Sequence, residues 1–190
     1  MPRPWETLLE QVVRERYPRL VAHAMLVARS RADAQDLVQE ALISSFSGRA
    51  RFGSVQQAEA YVRRAIVSRA VDASRRSVRE ERAAGRVGAL PTPVVVVEER
   101  GPGADVLRAL ATLSPRERAC VVLRQMDDLS VQETASLLGL STGAVKRYTA
   151  DGIARLAAAL GASAGAPDDP AGAPATTVEH MWVEEVHGER

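Results

Sequence analysis

Cysteine occurs once in this 190-residue chain, at Cys120. A single thiol excludes an internal disulfide and agrees with a reducing compartment. Its neighbours Ala119, Val121, Val122 and Leu123 place it in an apolar helix, where a buried small hydrophobe is expected rather than a redox switch. Aromatic residues make up only 4% of the chain, so the core must be built from Leu, Val, Ala and Ile. That composition favours helices over a sandwich or barrel. No apolar run approaches the roughly 18 residues of a membrane span and no secretory pattern opens the chain, so a cytoplasmic protein without membrane insertion is expected. Phosphate-loop, dinucleotide, C-x-x-C, H-E-x-x-H and G-x-S-x-G patterns are all missing, so no catalytic residue, cofactor or metal site is expected and the chain does not read as an enzyme. His180 and His187 stand two helical turns apart in the tail, poorly spaced to share one ion, and His23 is distant in sequence.

Lysine is nearly absent too, with Lys146 the only one, so positive charge here means arginine. The formal net charge of +1 conceals a strong asymmetry. Residues 1 to 82 hold 15 arginines against 10 acidic residues, residues 83 to 160 hold 9 basic against 8 acidic, and residues 161 to 190 hold 1 basic against 6 acidic. A basic front and an acidic tail suggest a body that faces a polyanion and carries an appendage of opposite sign.

The most informative stretch is residues 113 to 160, which contains three helix starts. Ser114 is an N-cap, Pro115 occupies the first helical position, and Glu117 completes a capping box. Ser130 and Glu133 repeat the pattern, and Ser141 caps a third helix with no acidic partner. Between the second and third helices, Gly139 supplies the left-handed joint that a tight turn needs. Two short helices across such a joint, the second bearing Lys146 and Arg147 near its start, read as a helix-turn-helix with its second helix directed to a DNA major groove. Small Ala135 permits the close crossing this requires.

Upstream, residues 5 to 28 have helical periodicity, with Pro18 predicting a kink or break near Tyr17. A second helix over residues 31 to 46 buries Ala34, Leu37, Val38, Ala41, Leu42 and Phe46 and shows Asp33, Asp36, Gln39 and Glu40 to solvent. After a loop containing Gly48, Arg49, Arg51 and Gly53, a third helix over residues 55 to 82 carries an apolar stripe of Ala58, Tyr61, Val62, Ala65, Ile66, Ala70, Val71 and Ala73. Arg63, Arg64, Arg69, Arg75, Arg76, Arg79 and Arg82 fill much of the remaining surface, a density suited to tracking phosphates. Residue type alone leaves both polar faces open to the plainer reading of solvation.

Glycines and prolines between residues 83 and 104 mark a flexible linker, with Val94 to Val97 as an extended apolar patch inside it. The fold expected is therefore all-α, with two small helical domains (residues 5–82 and 105–160) joined by the 83–104 linker, and the second domain a helix-turn-helix. Residues 161–190 form an acidic C-terminal tail, Gly-, Ala- and Pro-rich at first and then bearing Met181 and Trp182 among glutamates. Two readings of that tail stand: a fraying terminus, or a peptide that docks on the chain's own basic surface or on a partner.

These residues resemble the extracytoplasmic-function, or group 4, sigma factors of bacterial RNA polymerase, over about residues 8 to 160. The string LSPRERACVVLRQMDDLSVQETASLLGLSTGAVKR is similar to the family's promoter −35 recognition domain, although LuxR-type regulators share part of it. YPRLVAHAMLVARSRADAQDLVQEALISSF is similar to a rarer family pattern, Y-x-x-L followed by D-A-x-D-[LV]-x-Q-E. The resemblance implies that Asp36, Leu37, Gln39 and Glu40 dock on the β′ clamp of core polymerase. It implies −10 DNA contacts from Arg49, Arg51, Tyr61, Arg63, Arg64, Ser68, Arg69, Arg75 and Arg76, with a flipped base captured between the 47–56 loop and the helix after it. Tyr61 stands where the family usually has Trp, and Ser68 where it usually has Asn.

For −35 DNA the resemblance points to Thr142, Gly143, Lys146, Arg147 and Tyr148, while Tyr148, Thr149 and Asp151 depart from the usual residues of the recognition helix. Core polymerase and promoter DNA are the partners implied, and many family members are also held by an anti-sigma factor. The function expected is a sigma factor that directs core enzyme to promoters and melts the −10 element. Two other classes compete: a stand-alone helix-turn-helix regulator with an N-terminal sensor or dimerisation domain, and a sigma-mimicking interaction protein that occupies the clamp without initiating.

Overall fold

Helix α1 (Pro4–Met25) runs unbroken through Pro18 in a computed structural model that describes residues 4–47, 51–83 and 103–164. The break expected at Pro18 is therefore corrected. Proline removes one backbone hydrogen bond, but Val12 and Leu20 on either side are fully buried, and their packing on the next two helices outweighs that local loss. Helix α2 (Arg31–Ser47) starts at Ser30, whose hydroxyl accepts from the Asp33 backbone N–H at 3.1 Å. Helix α3 (Val55–Ala83) starts at Ser54, which accepts from Gln57 N–H at 3.1 Å, while the Gln57 side chain accepts from Gly53 N–H at 2.7 Å.

These three helices pack pairwise around Leu20, Ala24, Val38, Ala41, Val62, Ile66 and Val67. The buried stripe of α3 is narrower than its pattern suggested: Val67 is buried, whereas Tyr61 is 46% exposed and Ala73 faces solvent. Two helices cover only the arc centred on Val62 and Ile66, so the flanks of the apolar pattern stay open. Leu37 on α2 is likewise only half-buried.

The second domain comprises α4 (Ala104–Ala111), α5 (Pro115–Gln125), α6 (Val131–Leu138) and α7 (Thr142–Ala164). Both capping boxes form: Ser114 with Glu117, and Ser130 with Glu133, each pair satisfying two otherwise orphaned N–H groups. Ser141 accepts from Ala144 N–H at 3.1 Å and so starts α7 without an acidic partner. Gly139 sits at φ 60°, ψ 43° and turns the chain between α6 and α7, with Leu140 N–H returning to Ala135 C=O at 2.9 Å. Leu107, Leu110, Leu113, Val122, Leu123, Leu138 and Val145 form the core of this domain. Cys120 lies fully buried within it, and that burial pushes its thiol pKa up to about 11.

Helix α7 crosses α5 at Gly152. A Cβ there would fall 2.7 Å from Val121 Cγ2 and 3.3 Å from Leu113 Cδ2, so glycine sets how closely the recognition helix seats. The two domains also touch, with α5 and α6 resting against α3. All described elements are helical, in agreement with the expected class. The valine run of the linker and the acidic tail lie outside the described residues.

Candidate docking and nucleic-acid interfaces

Helix geometry places residues three, four and seven apart on one side of α2. Asp36, Gln39 and Glu40 are exposed there, and Leu37 lies half-buried beside them. Ile43 extends the same face and is 66% exposed, the most open large apolar side chain among the described residues. Polar groups around an unburied isoleucine form a surface suited to a protein partner, with the apolar anchor inside a charged rim. The sequence reading placed Ile43 neither in the buried stripe of α2 nor among the docking residues, and its signal was an isoleucine standing outside that stripe. Glu40 pairs with Arg69 of α3 at 3.1 Å, which ties this face to the arginine helix.

At the start of α3 three aromatic rings stack in series. Phe46 and Phe52 have centroids 5.3 Å apart at 59°, and Phe52 and Tyr61 have centroids 5.2 Å apart at 58°. Tilted pairs at this spacing are favourable. The open face of Tyr61 leaves a platform beside the loop on which an unstacked base can lie. Phe52 was missing from the sequence-based site, and its signal was an aromatic placed in a glycine- and arginine-bearing loop of an aromatic-poor chain.

The arginines predicted for −10 DNA divide into two sets. Arg51, Arg64 and Arg76 are exposed, and Ser68 and Arg69 are half-buried along the same flank. Arg63 is instead turned toward Glu59 at 3.7 Å, a carboxylate it shares with Arg16 at 3.5 Å. Arg75 contacts Asp72 at 3.4 Å and donates to the Leu138 carbonyl of the second domain at 3.0 Å. Arg49 lies outside the described residues.

On the recognition helix, Thr142, Gly143, Lys146 and Arg147 are exposed along its first two turns, and a Cβ at Gly143 would meet nothing within 4 Å. The close approach of a ligand backbone is therefore open at that point. Tyr148 is engaged within the chain: its hydroxyl accepts from Arg116 at 3.3 Å, and the Arg147 guanidinium lies 5.1 Å from its ring centroid. The hydrogen bonds from Arg116 and then Arg147 lower the Tyr148 pKa. This tyrosine orients Arg147 by a cation–π contact. Asp151 is exposed on the following turn.

An exposed α2 face, an aromatic cluster beside an arginine helix, and a helix-turn-helix are the surfaces of a two-domain helical protein suited to binding nucleic acid and a protein partner. Comparison with known proteins agrees. The model for sigma-70 region 2 matches residues 12–80, and that for sigma-70 region 4 matches residues 104–156. The chain is 31% identical over 147 residues to an RNA polymerase sigma-E factor of Streptomyces coelicolor, covering 77% of this chain and 82% of that one. It is 31% identical over 162 residues to the ECF RNA polymerase sigma factor SigM of Mycobacterium tuberculosis, covering 80% and 76%. The sigma factor RpoE of Bartonella quintana, solved in complex with the anti-sigma factor NepR, has the same fold at TM-score 0.57 and 21% identity, over 80% of this chain and 96% of that one.

The chain belongs to the extracytoplasmic-function sigma factors of the sigma-70 family. Its function is that of an RNA polymerase sigma factor, which brings core enzyme to promoters and initiates transcription. The match over residues 12–80 sets aside the stand-alone regulator, because the first domain is sigma region 2 rather than a sensor. Among the described residues, no helix is long and apolar enough to cross a membrane, and no group of three His, Cys, Asp or Glu is placed to hold a metal.

Proposed function

We propose that residues 5–82 bind core polymerase and the −10 element, that residues 83–104 link, and that residues 105–160 bind the −35 element. The observation that carries this division is the exposed α2 face, where Asp36, Gln39, Glu40 and Ile43 follow one another along one side of the helix and are left open by the described residues. That face docks on the β′ clamp in the cytoplasm, with Leu37 and Ile43 as apolar anchors. Base capture falls to the Phe52 and Tyr61 platform, supported by Arg51, Arg64, Ser68, Arg69 and Arg76. Lys146 and Arg147 reach the major groove from the start of α7, assisted by Thr142 and the open backbone at Gly143.

The protein acts by binding, and polymerase core supplies the bond-making chemistry. Opening the −10 duplex costs a few kcal/mol per flipped base, which stacking on the aromatic platform offsets by about 1–3 kcal/mol per base. An anti-sigma factor is a further partner, supported by the complex in which the Bartonella quintana relative in fold was solved.

The docking assignment is tested by measuring the affinity of the full chain for core polymerase after Asp36→Arg and Glu40→Arg are combined. Charge reversal at the centre of an interface removes about 2 kcal/mol or more, so affinity should fall at least roughly 30-fold. Helical content should be unchanged, because both side chains face solvent. Undiminished affinity would move the docking site off α2.

A further inference from the structure

Asp151 is the one acidic residue of the recognition helix, and nothing in the fold accounts for it. It lies in the middle of α7, where aspartate is a poor helix former and stands too far from the N-terminus to gain from the helix dipole. Its carboxylate makes no hydrogen bond or ion pair among the described residues. The arginines one turn away on either side, which could neutralise it at a spacing of four, are directed elsewhere. Arg155 pairs with Glu117 of α5 at 2.9 Å, and the Arg147 guanidinium lies 5.1 Å from the centroid of the Tyr148 ring, whose hydroxyl accepts from Arg116 at 3.3 Å. The Asp151 carboxylate is thus left open to whatever the helix faces.

At 3.6 residues per turn, Arg147, Ala150, Asp151 and Ala154 fall within an arc of about 100° on the side of α7 away from buried Val145 and Gly152, and all four are exposed. Ala150 and Ala154 carry only methyl groups, so Arg147 and Asp151 are the polar side chains of this arc. A helix laid in the major groove meets phosphates at the walls and base edges at the floor. Phosphates repel a carboxylate, and so do the acceptors N7 and O6 of guanine and O4 of thymine. Only the N4 amino group of cytosine and the N6 amino group of adenine donate there. Adenine sets its N7 acceptor beside that amino group, where it opposes the second carboxylate oxygen, whereas cytosine presents a carbon. Cytosine is the base that suits.

We propose that Asp151 is a base-reading residue of this chain, accepting a hydrogen bond from the N4 amino group of a cytosine in the −35 element. Four residues of helix rise about 6 Å, which places that cytosine within about two base pairs of the position Arg147 faces. The methyl groups of Ala150 and Ala154 suit contact with a thymine methyl beside it. A cation at this place would bind any sequence, but a carboxylate weakens binding wherever the cytosine is missing, which is specificity by exclusion. The inference rests on the assignment of α7 to −35 DNA, and its test separates the two.

The full chain with core polymerase transcribes a template library randomised across the −35 element, and base preferences are read from transcript abundance. Asp151→Ala, Asp151→Asn, and Lys146→Ala combined with Arg147→Ala are compared with the unmodified chain. Asp151 is exposed, so circular dichroism should show both of its variants folded. The unmodified chain should prefer cytosine at one −35 position by about fivefold or more. Asp151→Ala should abolish that preference and leave the other positions unchanged. Asp151→Asn should move it to adenine, whose N6 and N7 an amide pairs with together. Cytosine preference retained in Asp151→Ala overturns the proposal, and so does a uniform rise in transcripts from all templates with no change of preference. If the Lys146 and Arg147 double variant still loses −35 dependence in that case, the fault lies with Asp151 alone. A double variant that keeps every −35 preference overturns the −35 assignment of α7 and the reading of Asp151 with it.

Discussion

Replacing Gly152 by alanine should destabilise the second domain, although alanine is the better helix former. Alanine gains about 1 kcal/mol over glycine in a helix interior. Against this, the new Cβ would meet Val121 Cγ2 at 2.7 Å, Leu113 Cδ2 at 3.3 Å and Glu117 Cβ at 3.4 Å. Val121 is buried and β-branched, so its methyl has no free rotamer to retreat into. Overpacking of this kind costs about 1–3 kcal/mol, which leaves a net loss of roughly 1 kcal/mol.

Gly161 lies on the same helix, and a Cβ there would meet nothing within 4 Å. Gly161→Ala should therefore stabilise the domain by about 0.5–1 kcal/mol from propensity alone. Thermal unfolding of both variants should give midpoint shifts of opposite sign, each of about 4–8 °C per kcal/mol for a domain this small. Equal stabilisation by the two substitutions would refute the close crossing of α5 and α7. The Gly152→Ala variant should also bind −35 DNA more weakly, because the clash tilts the helix that carries Lys146 and Arg147.

Other outcomes follow from the same geometry. Cys120, with its thiol pushed up to about 11 by burial, is almost fully protonated at pH 8. Iodoacetamide should leave it unmodified in the native chain and alkylate it in denaturant; fast native labelling would contradict its burial. Lys146→Ala combined with Arg147→Ala should reduce the slope of log affinity against log salt by about 2 on duplex −35 DNA, if both reach phosphates. An unchanged slope would assign them to base edges instead. Phe52→Ala should weaken fork-junction binding by about 1–3 kcal/mol while leaving −35 duplex binding intact. Equal losses on both DNAs would mean that Phe52 supports the fold rather than the platform.

What could be read from the sequence depended on how local the determining physics was. Capping boxes at Ser114 and Ser130 need only residues three apart, and both formed as read. The Gly139 joint and the burial of Cys120 likewise follow from immediate neighbours. Pro18 misled because its local cost is real, yet the burial of Val12 and Leu20 against other helices decides the outcome. The platform of Phe46, Phe52 and Tyr61 joins the end of α2, a loop and the start of α3, and no periodicity within one element reports it. Gly152 gave no turn signal, since its role is a contact with Val121 more than one helix away. His23 stands in an apolar run and Asp127 beside Asp128, and nothing local to either reports that their side chains meet at 3.4 Å.

Run-off transcription tests the central claim most directly. Purified core polymerase with this chain, presented with a promoter library, should yield transcripts from a defined subset of templates with shared −35 and −10 sequences. Those transcripts should disappear when the chain is omitted or when Asp36 and Glu40 are both reversed to arginine. Stable association with core enzyme but no transcript from any template would contradict the account and restore the reading of a protein that occupies the clamp without initiating.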